Sequence, residues 1–273
     1  MNNKKIHFSD SWAVILGGSS GFGLASVEKL ASNGMNIAVL YRESAAVERS
    51  LKERFSTLAE TNSINIIPFN VNALVSSSRE TFIEQFKTII GKKQTVRLLL
   101  HSIARGNLKP LILQVNEPDI SKEILSVEDI GFTSYAMSTS ILDWARALIK
   151  EDLFQPDARI IGITSEGSHK YWEGYAAVSI AKASLESLAT YMAIELSKYG
   201  LKTNLIQAGI TETPSLKRIQ GSDRLLKMAK ERNPFGRLTS PSDVANVIYL
   251  LCSDEASWIN GSLIHVDGGE HCK

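Results

Sequence analysis

The chain of 273 residues has little cysteine: Cys252 and Cys272 are its only two. So few cannot build a disulfide framework at this length, and the usage fits a reducing compartment. It has no excess of either charge. Thirty Lys and Arg against 29 Asp and Glu leave a formal net charge of +1, which excludes an overall basic field for nucleic acid or an anionic membrane. Long apolar runs are missing as well. No window approaches the ~20 apolar residues of a spanning helix, and the lysines near the start lead into no apolar stretch of the kind a secretory signal needs. The histidines and cysteines show no metal-ligand spacing. No Pro/Gly/Ser-rich linker, low-complexity run or internal repeat divides the chain. The expectation is one cytoplasmic domain spanning residues 1–273, with no metal, nucleic-acid or membrane-inserting part.

What is present is a regular alternation. Strand-sized apolar runs occupy 12–16, 37–41, 64–69, 96–100, 159–164, 202–206 and 263–266. Most are rich in Val, Ile and Leu, and their continuous rather than alternating apolar character suggests burial on both faces. Between them, helical spacing runs through 22–33, 45–60, 79–91, 127–150, 175–198 and 242–251, with Pro241 placed as a helix start. This pattern predicts an α/β fold: a doubly wound, seven-stranded parallel sheet with helices on both faces. The longest irregular stretches, 104–126 and 209–216, follow strand ends, the edge where such sheets bind ligands.

The first strand runs into Gly17-Gly18-Ser19-Ser20-Gly21-Phe22-Gly23 and then a helix. Gly17 suits a tight turn, Gly21 a close backbone approach to a pyrophosphate, and Gly23 close helix–strand packing. Ser19, Ser20 and Phe22 share the anion site that a helix N-terminus provides. Such a turn inside a βαβ unit points to a dinucleotide. At the end of the second strand, where an NAD enzyme carries an acid, stand Tyr41 and Arg42. Arg42 can pair with a 2′-phosphate, which favours NADPH over NADH, although Glu43 follows immediately.

Tyr175 and Lys182 are seven residues apart. On a helix they fall within ~20° of one face and ~10.5 Å apart along the axis. A nearby ammonium lowers a phenol pKa, which suits the tyrosine to acid catalysis. The glycine turn, this helix and the closing Val266-Asp267-Gly268-Gly269 together resemble the short-chain dehydrogenase/reductase superfamily over nearly the whole chain. Carbonyl reductases of that superfamily place the tyrosine four residues before the lysine, where this chain has Val178. The seven-residue spacing, His101-Ser102-Ile103, and Ala208-Gly209 in place of Pro-Gly resemble the enoyl-acyl-carrier-protein reductase branch. The stretch from Tyr171 to Leu196 is closest to its NADPH-using variant. The resemblance implies Tyr175 and Lys182 as catalytic residues. It implies cofactor contacts at Ser102, Ile103 and Ala104, at Asn70 and Val71, and at Gly209, Thr211 and Thr213, besides the glycine turn and Lys182. It also implies a tetramer. Ser165 stands where the branch often has a second tyrosine and where carbonyl reductases keep a catalytic serine.

The spacing has a physical reading. Reduction of an enoyl thioester puts hydride on the β-carbon and negative charge on an oxygen two carbons further along. Moving the tyrosine back by three residues shifts it by about 4.5 Å, the direction an enolate acceptor needs. The reaction expected is therefore NADPH-dependent reduction of a trans-2-enoyl thioester. The other candidates are a carbonyl reductase or alcohol dehydrogenase using Ser165 with Tyr171 or Tyr175, and a catalytically silent dinucleotide-binding protein. The segment 217–232 carries a local charge of +4 and several apolar residues. It belongs to the substrate-covering stretch expected at about 209–233, and its basic face would suit an acidic acyl carrier protein.

Overall fold

The computed structural model describes residues 8–113 and 123–273. Part of the irregular stretch 104–126 and His7 thus lie outside the described residues. Seven parallel strands form one sheet in the order β3-β2-β1-β4-β5-β6-β7. They are β1 (Trp12–Leu16), β2 (Asn36–Tyr41), β3 (Ile66–Asn70), β4 (Val96–His101), β5 (Phe154–Ser165), β6 (Lys202–Ala208) and β7 (Leu263–Val266). The predicted α/β class and the seven-stranded parallel sheet are both present. Strand order reverses between β1 and β4, which makes their C-terminal ends the switch point where ligands bind in sheets of this kind.

The apolar runs become strands because helices cover both faces. One face is sealed by α3 (Ser76–Ile90), α5 (Ser140–Lys150) and α6 (Ala176–Glu195), packed around Phe82, Phe86 and Trp144. On the other lie α1 (Gly21–Ala31), α2 (Ala45–Asn62) and α8 (Pro241–Leu251), around Val27, Phe55 and Ile248. Pro241 does open α8: Ser240 and Asp243 form a reciprocal capping box around it. The helix expected over 127–150 is interrupted. α4 (Val127–Ser134) passes through a wider π turn, Tyr135–Thr139, before α5. That turn lies where the Ser140 hydroxyl, beside His101, also bonds back to the Ala136 carbonyl. The segment 217–232 holds a further helix, α7 (Ser222–Arg232). No helix among the described residues is long and apolar enough to cross a membrane.

Candidate active site

The glycine turn sits at the switch point. Gly17 (φ +87°) and Gly21 (φ +53°) occupy left-handed backbone. A Cβ on Gly17 would lie 2.5 Å from the Ser102 carbonyl oxygen at the end of β4, and one on Gly23 only 2.1 Å from the Gly17 carbonyl oxygen. Gly23 therefore lets α1 close onto its own turn. Ser20 opens α1 without a side-chain cap, and no acid stands in the first turn, so the first amides face outward with the positive end of the helix dipole. The methyl of Thr213, from the loop after β6, would touch a side chain at Gly21 at 3.5 Å. Ser102, Ile103, Gly209, Thr211 and Thr213 thereby gather around the turn, with exposed Ala104 following.

Several predicted contacts also have a local role. Asn70 is engaged by Glu43 and Glu48. Its amide nitrogen donates to the Glu43 carbonyl (3.1 Å) and the Glu48 carboxylate (2.8 Å), and its oxygen accepts from the Glu43 amide (3.0 Å). It clamps the loop after β2, and the Val71 amide beside it donates to the Tyr41 carbonyl at 2.8 Å. Thr211 donates to the Gly209 carbonyl (2.9 Å), and the Thr213 hydroxyl accepts from the Leu216 amide (3.2 Å); both shape their loop. Arg42 is exposed, while Ser19 donates to the Glu43 carboxylate at 2.8 Å. The Tyr41 hydroxyl is buried with no partner. Burial first, then the neighbouring Glu48 and Glu43 charges, pushes it up to about 12.

Tyr175 stands at the N-cap of α6 rather than inside it, just after Gly174 at φ +69°. Its ring lies over Gly167: a Cβ there would come within 2.5 Å of Tyr175 Cε1 and 3.3 Å of Ser165 Oγ. Gly167, which no motif or spacing singled out, is what lets the phenol and Ser165 share one wall. The Ser165 hydroxyl, at the end of β5, is buried with no hydrogen-bond partner. Lys182 is buried, and its amine donates to the Ile163 carbonyl at 2.7 Å. Burial pulls that amine down to about 8, against the pull of Glu186 one turn along.

The expected lowering of the phenol pKa is not found. Burial raises Tyr175, with the neighbouring Ser165 hydroxyl opposing, and Lys182 has turned its hydrogen bond to strand β5. The phenol keeps its proton and is able to donate a hydrogen bond. His101 is buried with its Nε2 2.8 Å from Ser140 Oγ. Burial, then the Lys182 charge, drives it down to about 3, so it is a neutral hydrogen-bonding residue.

A cavity of about 610 Å³ joins Phe22 of the glycine turn to Ser165, Tyr175 and Trp172, roofed by Leu225 and Met228 of α7. A second, of about 660 Å³, lies beyond Trp172 and Tyr175 against Leu108 and Ile112. Trp172 pins the roof by donating to the Gln220 carbonyl at 3.0 Å. Tyr171, the other candidate acid, is 90% exposed. Among the described residues, no group of three or more His, Cys, Asp or Glu could hold a metal ion. The +4 segment is less uniformly basic than its sequence implies. Arg232 turns inward to Glu166 and Glu270, and Lys217 meets Glu212 at 3.0 Å.

The family described as Enoyl-(Acyl carrier protein) reductase matches residues 17–271. An enoyl-acyl-carrier-protein reductase (NADPH) of Staphylococcus aureus is 31% identical over 254 residues, covering 93% of this chain and 92% of that protein. An enoyl-acyl-carrier-protein reductase (NADH) of Bacillus subtilis is 30% identical over 231 residues, 82% of this chain and 81% of that protein. Among solved structures, the enoyl-acyl-carrier-protein reductase (NADH) of Aquifex aeolicus shares the fold with a TM-score of 0.81 at 23% identity, over 97% of this chain and 98% of its own. The chain belongs to the enoyl-acyl-carrier-protein reductase family, within the short-chain dehydrogenase/reductase superfamily.

Proposed function

We propose that this chain, as one domain spanning residues 1–273, reduces the 2,3 double bond of a trans-2-enoyl thioester carried by acyl carrier protein, in fatty-acid synthesis. The observation that carries the reading is the meeting of Tyr175, Ser165 and Phe22 of the glycine turn around one apolar-roofed cavity, with buried Lys182 bonded to the Ile163 carbonyl of β5, the strand that ends in Ser165. The residues fit a nicotinamide dinucleotide: the turn has no room for a Cβ at Gly17 or Gly23, and its helix amides offer an anion site. When bound, that group supplies the hydride for the β-carbon. Tyr175 donates a hydrogen bond to the thioester oxygen and stabilises the enolate charge. Its raised phenol pKa suits a donor that stays protonated. Lys182 holds the nicotinamide ribose and adds positive charge. The roof of α7 excludes water and seats the acyl chain.

NADPH is the proposed cofactor, on the strength of exposed Arg42. The Ser19–Glu43 hydrogen bond favours a second reading, NADH, because a carboxylate beside the turn can accept from a ribose hydroxyl. Carbonyl reduction is the alternative reaction, favoured by the orphaned Ser165 hydroxyl beside Tyr175. Cytoplasmic location and a tetramer complete the proposal.

One assay separates the reactions. With NADPH, oxidation on crotonyl-CoA but not acetoacetyl-CoA supports enoyl reduction, and the reverse supports carbonyl reduction. Cofactor binding without turnover on either, or on longer carrier-bound substrates, leaves a silent dinucleotide-binding protein. The carrier is tested separately. Arg224, Lys227 and Lys230 are exposed on α7, so Lys227→Glu with Lys230→Glu raises KM for the carrier-bound substrate by about tenfold and leaves the CoA thioester unaffected. Equal effects on both would remove the carrier from the proposal.

A further inference from the structure

We propose that Arg232 and Glu270 are positioning residues. With Glu166 they form an ionic latch that holds α7 over the cavity and ties it to the backbone after β6. Arg232 ends α7. Its guanidinium bridges Glu166 and Glu270, the latter at 2.6 Å. Glu166 directly follows Ser165, and Glu270 lies in the turn after β7. Three segments far apart in sequence therefore meet at one side chain.

The arrangement is built rather than incidental. Glu270 is only 2% exposed, so its charge needs compensation. One oxygen takes Arg232, and the other accepts from the Ile210 amide at 3.2 Å. Gly209 packs so tightly that a Cβ would stand 2.9 Å from Glu270 Oε2. Glu166 is also met by Lys170 at 2.5 Å. The neighbouring cations of α7 point to solvent, whereas Arg232 faces inward.

The consequence lies in the roof. Leu225, Met228 and Ala229 line the cavity, at seven, four and three residues before Arg232, and so share its helix face. Trp172 holds the start of the cover at Gln220, and the latch holds its far end. Releasing the latch lifts the apolar lining away from the acyl chain while Tyr175 and Lys182 stay in place. Loss of substrate affinity with little change in the chemical step is the expected signature.

The kinetic part rests on the enoyl-thioester reading; a proteolytic part does not. In Arg232→Gln, KM for crotonyl-CoA rises by about tenfold with kcat within about twofold. Trypsin cuts the intact protein faster at Lys217, Arg218, Arg224, Lys227 and Lys230. Arg232→Lys, which keeps a cation for the carboxylates, recovers most of both. Because Arg232→Gln leaves Glu270 buried and unpaired, a third variant combines Arg232→Met, Glu166→Gln and Glu270→Gln. It melts near the wild type yet keeps the high KM and rapid cleavage. Wild-type KM and cleavage in the triple variant, or no rescue by lysine, overturns the latch. If the wild type reduces no enoyl thioester, the reaction assignment fails, and the cleavage rates still decide the latch.

Discussion

At the start of β4 and midway along β5 two guanidiniums are buried and bonded many times over; at the C-terminal ends of β2 and β5 a phenol and a hydroxyl are buried with bonds to spare. Arg159 is wholly buried and uses all five N–H groups, on the Leu251, Ser253 and Asp157 carbonyls and both Asp157 carboxylate oxygens. Arg97 adds bonds to the Cys252 and Asp157 carbonyls and to Asp254. The pair caps the last carbonyls of α8. At the opposite edge the hydroxyls of Ser165 and Tyr41 are orphaned. An orphaned hydroxyl alone does not mark a ligand site, since Thr95 and Thr203 at the rear are orphaned too. What distinguishes Ser165 is its place beside Tyr175 on a cavity wall. Saturated charge marks structure; unsaturated polarity lining a cavity marks chemistry.

The rear cluster offers the largest effect. Arg159→Met strips Asp157 and the end of α8 of their main partner, and stability falls by about 3–5 kcal/mol. Urea denaturation measures the loss, while kcat/KM of the remaining folded enzyme stays at the wild-type value. A loss below ~1 kcal/mol would break the contrast between the two edges.

Tyr175→Phe sharpens it from the other side. Removing one donor to a developing oxyanion costs about 10²–10³ in kcat. The melting temperature stays near the wild type, because the phenol oxygen has the neighbouring Ser165 hydroxyl and no other described polar partner in the fold. Full activity in this variant would remove Tyr175 from the proposed mechanism.

The strands were legible because burial on both faces writes continuous apolar runs, and each of the seven runs became a strand. The first part of β5, Phe154–Ala158, was not, because it contains Gln155, Pro156 and Asp157; tertiary pairing overrides their poor strand character. The π turn at Tyr135–Thr139 left only a Ser/Thr-rich trace. At the site, glycine spacing and the Tyr–Lys interval could be read directly. Side-chain partnerships could not. Nothing near Asn70 in the sequence announces that its amide clamps Glu43, and nothing near Arg232 announces that α7 turns it inward. Such roles depend on which segments the fold brings together, and local sequence carries no record of that. An arginine inside each of the apolar runs 96–100 and 159–164 was the available hint of the rear cluster.

Lys182 gives the smallest effect and links the two edges, because it is a charge buried like Arg159 but far less saturated. Lys182 is 6% exposed, and its amine makes one described hydrogen bond, to Ile163. Burial lowers it from 10.5 to about 8. Below pH 8 it is charged in both folded and unfolded chains, so the desolvation cost is present in full. Between about pH 8 and 10.5 the native amine loses its proton first. The unfolded chain then binds more protons, and wild-type stability rises with pH relative to a variant without the amine. Lys182→Met is therefore more stable than the wild type at pH 7, by about 1–3 kcal/mol after allowing for the lost Ile163 bond. The gap closes as pH approaches 10.5, and the variant has lost most activity throughout. Paired thermal melts at pH 7 and pH 10 measure this. A pH-independent gap, or a less stable variant at pH 7, would mean that Lys182 is as well compensated as Arg159, and that the two edges differ in hydroxyls alone.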